Sequence, residues 1–166
     1  MYYLVVPWLR EKAELMAVSD STIIHDTVLL IRDLLLTSGV TDPISSKRTG
    51  NLKFIMTSYP DRNVLYPVIT IKNMGFNAVS AGQNTTAMWT RIITEIRVWS
   101  QTVSQRDALC DSVFNYLRTK QTGTGGSIPG NLYDLEVTSL VPVDEEGEHG
   151  IHSGVFTVTY KYVTSS

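Results

Sequence analysis

Apolar residues recur along this chain with two different periods, and the change of period divides it into elements. From Asp20 to about Ser38 they come at helical spacing. Ile24, Val28, Ile31 and Leu35 form one stripe, and Ile23, Leu30 and Leu34 form a second beside it. Asp20-Ser21-Thr22 offers N-cap candidates, and Gly39 can end the helix in the left-handed conformation. A surface helix needs only one apolar stripe, so this one is expected at the centre of the core or beneath another subunit. After a loop at Asp42-Pro43 and "SSKRTGN" the period drops to two. Leu52 to Ser58 and Pro67 to Asn73 read as strands separated by a turn at Tyr59 to Asn63, and Met74 to Thr86, rich in Gly, Asn, Ser and Thr, reads as a loop or ragged hairpin. Met88 to Ser100 is a long strand. Its even-numbered face carries Ile92, Ile96 and Val98; its odd-numbered face carries Arg91, Glu95 and Arg97, bracketed by Trp89 and Trp99. Helical spacing returns in Leu109, Val113, Tyr116 and Leu117, opened by a capping-box pattern at Ser104 and Asp107 and closed by Arg118 and Lys120, which favour the negative end of the helix dipole. Beyond the glycine-rich "QTGTGGSIPGN", Leu132 to Val141 and Val155 to Val163 alternate again, the latter with Phe156, Val158, Tyr160 and Tyr162 on one face. They flank "DEEGEHG", which suits a hairpin tip.

These elements predict an α+β fold: a mixed, mainly antiparallel sheet of about five strands flanked by two main helices. At 166 residues the chain is in the range of one domain, read as 20–166, preceded by an extension over 1–19. The extension holds a short strand-like run, a proline break at Pro7 and an amphipathic turn through Glu11 to Met16, and its aromatic content must pack on something. The chain is 43% apolar and 18% charged, as ordinary globular proteins are. With 14 Lys+Arg against 16 Asp+Glu it lacks the basic excess of an electrostatic nucleic-acid binder, so no specific nucleic-acid partner is expected. The best apolar run, Thr27 to Leu36, is broken by Arg32 and Asp33, so no membrane span is expected. The start of the chain lacks the basic region and cleavage site of a signal peptide, and the expected place of synthesis is the cytoplasm.

No catalytic, cofactor or metal site assembles from the residues. The single cysteine, Cys110, excludes an intramolecular disulfide and the CxxC motifs, and its setting between Leu109 and Val113 suits a small buried apolar residue. Gly123 to Gly130 lacks the GK[ST] ending of a phosphate loop and the helix after it, which leaves a linker. His149 and His152 with Asp144, Glu145, Glu146 and Glu148 have metal-ligand chemistry, but Gly147, Gly150 and Gly154 leave them without fixed geometry, so a solvated tip is expected. His25 beside Asp26 has no nucleophile at recognisable spacing. Trp89 and Trp99 could stack bases or anchor a protein contact; the neutral overall charge favours the contact, with Arg91, Glu95 and Arg97 as its polar part.

The order of helix, strand, strand, long strand ending "IRVWS", capped helix "SQRDALCDSVFNYL" and two late strands resembles the tail terminator, or tail completion, proteins of long-tailed bacteriophages. The resembling region runs from about Asp20 to Thr164, and Ile96, Val98, Trp99, Ser104, Arg106, Asp107, Leu109, Asp111 and Val113 carry it. The resemblance implies a virion protein forming a hexameric ring on the head-proximal end of the tail tube, where it ends polymerisation and meets the head–tail connector or another neck protein. Its partners would be copies of itself, the tail tube protein and the connector, with DNA passing through the ring. The acidic loop of Asp144, Glu145, Glu146 and Glu148 would then suit a lumen or rim, since like charge repels phosphate. The alternatives are another neck component, a small cytoplasmic enzyme using His25, His149 or His152, and a single-strand binding module using Trp89 and Trp99.

Overall fold

The computed structural model describes residues 18–19, 21–37, 40–50, 52–57, 64–83, 86–121, 128, 131–144 and 150–164. In chain order these form α1 (Ile23–Leu36), a 3-10 turn (Ser45–Lys47), β1 (Ile55–Met56), β2 (Val68–Ser80), β3 (Met88–Ser100), α2 (Val103–Thr119), β4 (Leu132–Asp144) and β5 (His152–Thr164). The sheet has the order β1-β2-β3-β5-β4. β1 runs parallel to β2 and every other pairing is antiparallel. The fold is therefore α+β with a mixed, mainly antiparallel five-stranded sheet, as the hydrophobic pattern predicts.

The core lies on one face of that sheet. Ile92, Ile96 and Val98 of β3 join Ile69 and Ile71 of β2 and Phe156, Val158, Tyr160 and Tyr162 of β5 there, in one cluster with residues of both helices. α1 adds Leu30, Ile31, Leu34 and Leu35 above β1 and β2; α2 adds Leu109, Cys110, Val113 and Leu117 above β3, β5 and β4. Each fully buried Leu, Ile or Val contributes about 1.5–3 kcal/mol of transfer free energy. A buried polar pair, Thr94 Oγ1 with Tyr160 Oη at 2.7 Å, satisfies two hydroxyls that burial would otherwise strand, and that burial pushes the Tyr160 hydroxyl above its usual pKa. The first stripe of α1 divides: Ile31 and Leu35 are core, whereas Ile24 is 48% exposed; Leu30 and Leu34 of the second stripe are core.

Several boundaries differ from the sequence reading, each for a local reason. α1 begins at Ile23 after Thr22, but the Thr22 hydroxyl donates to Asp26 Oδ2 at 2.5 Å instead of capping a backbone N–H. The helix ends with Thr37 in a right-handed conformation, its hydroxyl on Asp33 O at 3.0 Å; Ser38 and Gly39 lie outside the described residues. The cap of α2 is Thr102, not Ser104, because Thr102 Oγ1 accepts from the Gln105 N–H at 3.3 Å. Asp107 instead takes Arg106 Nε at 2.9 Å. The strand expected over Leu52 to Ser58 contracts to Ile55–Met56. β2 continues to Ser80 through the stretch read as a loop, absorbing its awkward residues in a register shift between Asn73 and Gly75, the latter at φ 146°. The two late strands form the expected hairpin, and its tip, 145–149, lies outside the described residues, as do residues 1–17 of the extension.

Candidate functional site

With both helices on one face of the sheet, the opposite face is built from the odd-numbered residues of β3 and their register partners. Thr70, Arg97, Val155 and Val141 form one row across the strands. Lys72, Glu95, Thr157 and Ser139 form the next, and Asn77, Arg91, Lys161 and Tyr133 another. Val79, Trp89 and Val163 close the face at the end where β2 finishes and β3 begins. Val79 is 60% exposed, Trp89 45% and Tyr133 50%, so this end of the face is open and apolar.

The predicted contact residues fall into two groups. Trp89 and Arg91 lie at the open end, with an Arg91 guanidinium nitrogen 3.4 Å from Thr159 Oγ1. Glu95, Arg97 and Trp99 form a group that makes contacts within the chain. Arg97 Nε stands 3.2 Å from Glu95 Oε1, its guanidinium carbon lies 5.0 Å from the centre of the Trp99 ring, and the Trp99 indole N–H donates to Thr70 Oγ1 at 3.0 Å. Trp99 is only 4% exposed. The expectation of an exposed aromatic at both ends of β3 therefore holds for Trp89 and not for Trp99, because the indole is held between Arg97 and Thr70 of its own chain. Val79 and Tyr133 belong to the open end and were not singled out in the sequence. Val79 fell in the presumed loop; the only signal for it is that a thirteen-residue β3 needs a partner of matching length.

The remaining candidates are scattered. His25 is exposed at the start of α1, beside the cleft that Thr90 also lines, while His152 starts β5 opposite Ser100. Thr90 and Ser100 are ten residues apart on β3, roughly 30 Å, so these two histidines do not share a pocket. Asp144 ends β4 across from His152, and Glu145, Glu146, Glu148 and His149 lie outside the described residues. No group of three potential metal ligands occurs among the described residues. Cys110 is buried, and desolvation pushes its thiol up to about 11, which leaves it unreactive at neutral pH.

No protein-family model matches the chain, and no curated protein does. Among solved structures it is similar to a chain in the virion of a native gene transfer agent particle, at 10% identity and a TM-score of 0.49, covering 67% of this chain and 79% of that one. It is also similar to a core domain from Akkermansia muciniphila, at 12% identity and a TM-score of 0.29, covering 57% of this chain and 47% of that one.

What the site offers chemically is surface. An apolar row of Val79, Trp89 and Val163 beside the cations Arg91 and Lys161 can exclude water against a partner's apolar patch and orient it by charge.

Proposed function

We propose that this chain is a non-catalytic structural virion protein of the tail-terminator kind. It forms a ring, a hexamer by the resemblance, on the head-proximal end of a tail tube, ends tube polymerisation and presents its other side to the head–tail connector. The observation that carries this reading is the one-sided architecture: both helices cover one face of the sheet, and the opposite face ends in the row Val79–Trp89–Val163, in which Val79 and Trp89 are exposed and Val163 is half-buried. Domains bury the apolar face of a sheet against another layer. A second layer supplied by a neighbouring molecule meets that need. The element order α1, β1, β2, β3, α2, β4, β5 also matches, element for element, the order on which the tail-terminator resemblance rests.

The test is to add the purified protein to tail tube subunits as they polymerise and to measure tube lengths by electron microscopy. Tubes that stop growing with density at one end support the reading. Tubes that grow as in its absence contradict it.

A further inference from the structure

The end of the sheet where β2 finishes and β3 begins is apolar on both faces. On one face stand the exposed Val79 and Trp89, in the row that Val163 completes. The other face carries the core. Phe76 pairs there with Ile92, and Met88 lies on the same side of β3 as Ile92 by strand alternation. Yet Phe76 is 55% exposed and Met88 is exposed as well. α1 covers this second surface only in part, leaving a cleft of about 680 Å³ walled by Ile24 and Val28 of the helix and by Asn73 and Phe76 of β2. Ile24 is itself exposed, and the side-chain amide nitrogen of Asn73 is buried with no hydrogen-bond partner among the described residues. An apolar concavity with a buried donor lacking an acceptor is a surface that a protein partner completes.

The two surfaces are complementary in shape. One is a row of side chains standing on a strand, and the other is concave. A cavity of about 150 Å³ already holds a benzene ring, so the cleft has room for an indole and a valine side chain together. A row that met its own counterpart across a twofold axis would be covered, but the cleft would stay in water. A contact that joins the row of one copy to the cleft of the next covers both. Because the two surfaces lie on opposite faces of one sheet, that contact repeats from copy to copy in a single direction, as a ring requires.

Given the ring proposed above, on which this contact rests, we infer that neighbouring copies join head to tail: Val79 and Trp89 of one copy seat in the α1–β2 cleft of the next, against Ile24 and Phe76. The test uses two full-length variants, each damaging one surface: Trp89→Asp on the row and Ile24→Asp on the cleft wall. Each alone is expected to be monomeric by native mass. Their equimolar mixture is expected to form a dimer with one copy of each and nothing larger, since one intact row and one intact cleft remain. A dimer of the Ile24→Asp protein alone, which keeps its row, would show row meeting row and overturn the proposal. Crosslinking gives an independent reading that leaves the rest of the contact in place. Val79→Cys protein mixed with Ile24→Cys protein under mild oxidation should form the mixed disulfide roughly tenfold or more faster than Val79→Cys mixed with Asn115→Cys, on the exposed face of α2. Buried Cys110 stays out of the exchange. Equal rates overturn the proposal. A parent that is monomeric at every concentration removes the ring and this contact together, whereas a parent ring that Ile24→Asp leaves intact removes this contact alone.

Discussion

Replacing Arg48 by Lys keeps the charge and loses the fork. The Arg48 side chain is nearly inaccessible: Nε bonds Asp42 Oδ2 at 2.5 Å, Nη1 donates to Leu65 O at 2.7 Å, and Nη2 donates to Pro67 O. Its guanidinium carbon also lies 5.4 Å from the centre of the Phe54 ring. One planar group thus ties the loop after α1 to the chain entering β2, and a lysine cannot reach three acceptors from one point. Arg48→Lys is expected to lose about 2–4 kcal/mol, and Arg48→Met at least as much since it leaves Asp42 without its partner, read from urea midpoints. Asp26 carries a pH dependence of defined sign. The Thr22 hydroxyl, at 2.5 Å, and the Ser19 N–H, at 3.1 Å, hold its carboxyl below the usual range against the opposing effect of burial. A lowered folded pKa contributes stability that is present above the unfolded value of about 4 and is lost as the pH falls through the folded value. Asp26→Ala should therefore be less stable than the parent by about 1–3 kcal/mol at pH 7, and the gap should narrow below about pH 4. A gap that is constant from pH 7 to pH 3 would show that the carboxylate's hydrogen bonds are not the source.

At the scale of elements, α2 reaches the sheet because β5 presents a glycine where the helix comes closest. A Cβ on Gly154 would lie 2.3 Å from Cys110 Sγ. Gly154→Ala is expected to destabilise by about 1–3 kcal/mol through overpacking, and most of that loss should vanish in a Cys110→Ala background, a coupling that thermal melts of the four proteins would measure. Equal losses in both backgrounds would mean that the strand backbone, not the sulfur, limits the fit. How far such elements could be foreseen depended on whether one periodic signal sufficed. β3 was legible to the residue because its alternation is long and its two faces differ so sharply, and α2 because Leu109, Val113 and Leu117 form a single stripe. β2 was not legible past Asn73, since Gly75, Asn77 and Ser80 are poor strand formers held in place by pairing with β3. The cap of α2 was misplaced because two overlapping patterns, Thr102 to Gln105 and Ser104 to Asp107, satisfy the same rule, and only the backbone conformation of Thr102 chooses between them. Arg48 was read as part of a polar loop, since nothing local marks a charged residue that folding will bury.

For the whole molecule, the consequence of placing both helices on one side is that the two tryptophans of β3 have different tasks. Trp99 stabilises the protomer: its truncation to Ala should cost about 3–5 kcal/mol of folding free energy, as for other buried aromatic residues. Trp89 stands in the open row with Val79 and Val163, so Trp89→Ala should leave the melt within about 0.5 kcal/mol of the parent while weakening self-association by about 2 kcal/mol or more. The same melt change in both variants would contradict that division. The central claim is that this open face is completed by another copy in a closed ring. Native mass measurement of the purified parent across micromolar concentrations, with Trp89→Ala beside it, tests it most directly. The account predicts a discrete closed oligomer, six copies by the resemblance, that shifts toward smaller species in the variant. A monomer at every concentration, or an oligomer indifferent to Trp89, would contradict it.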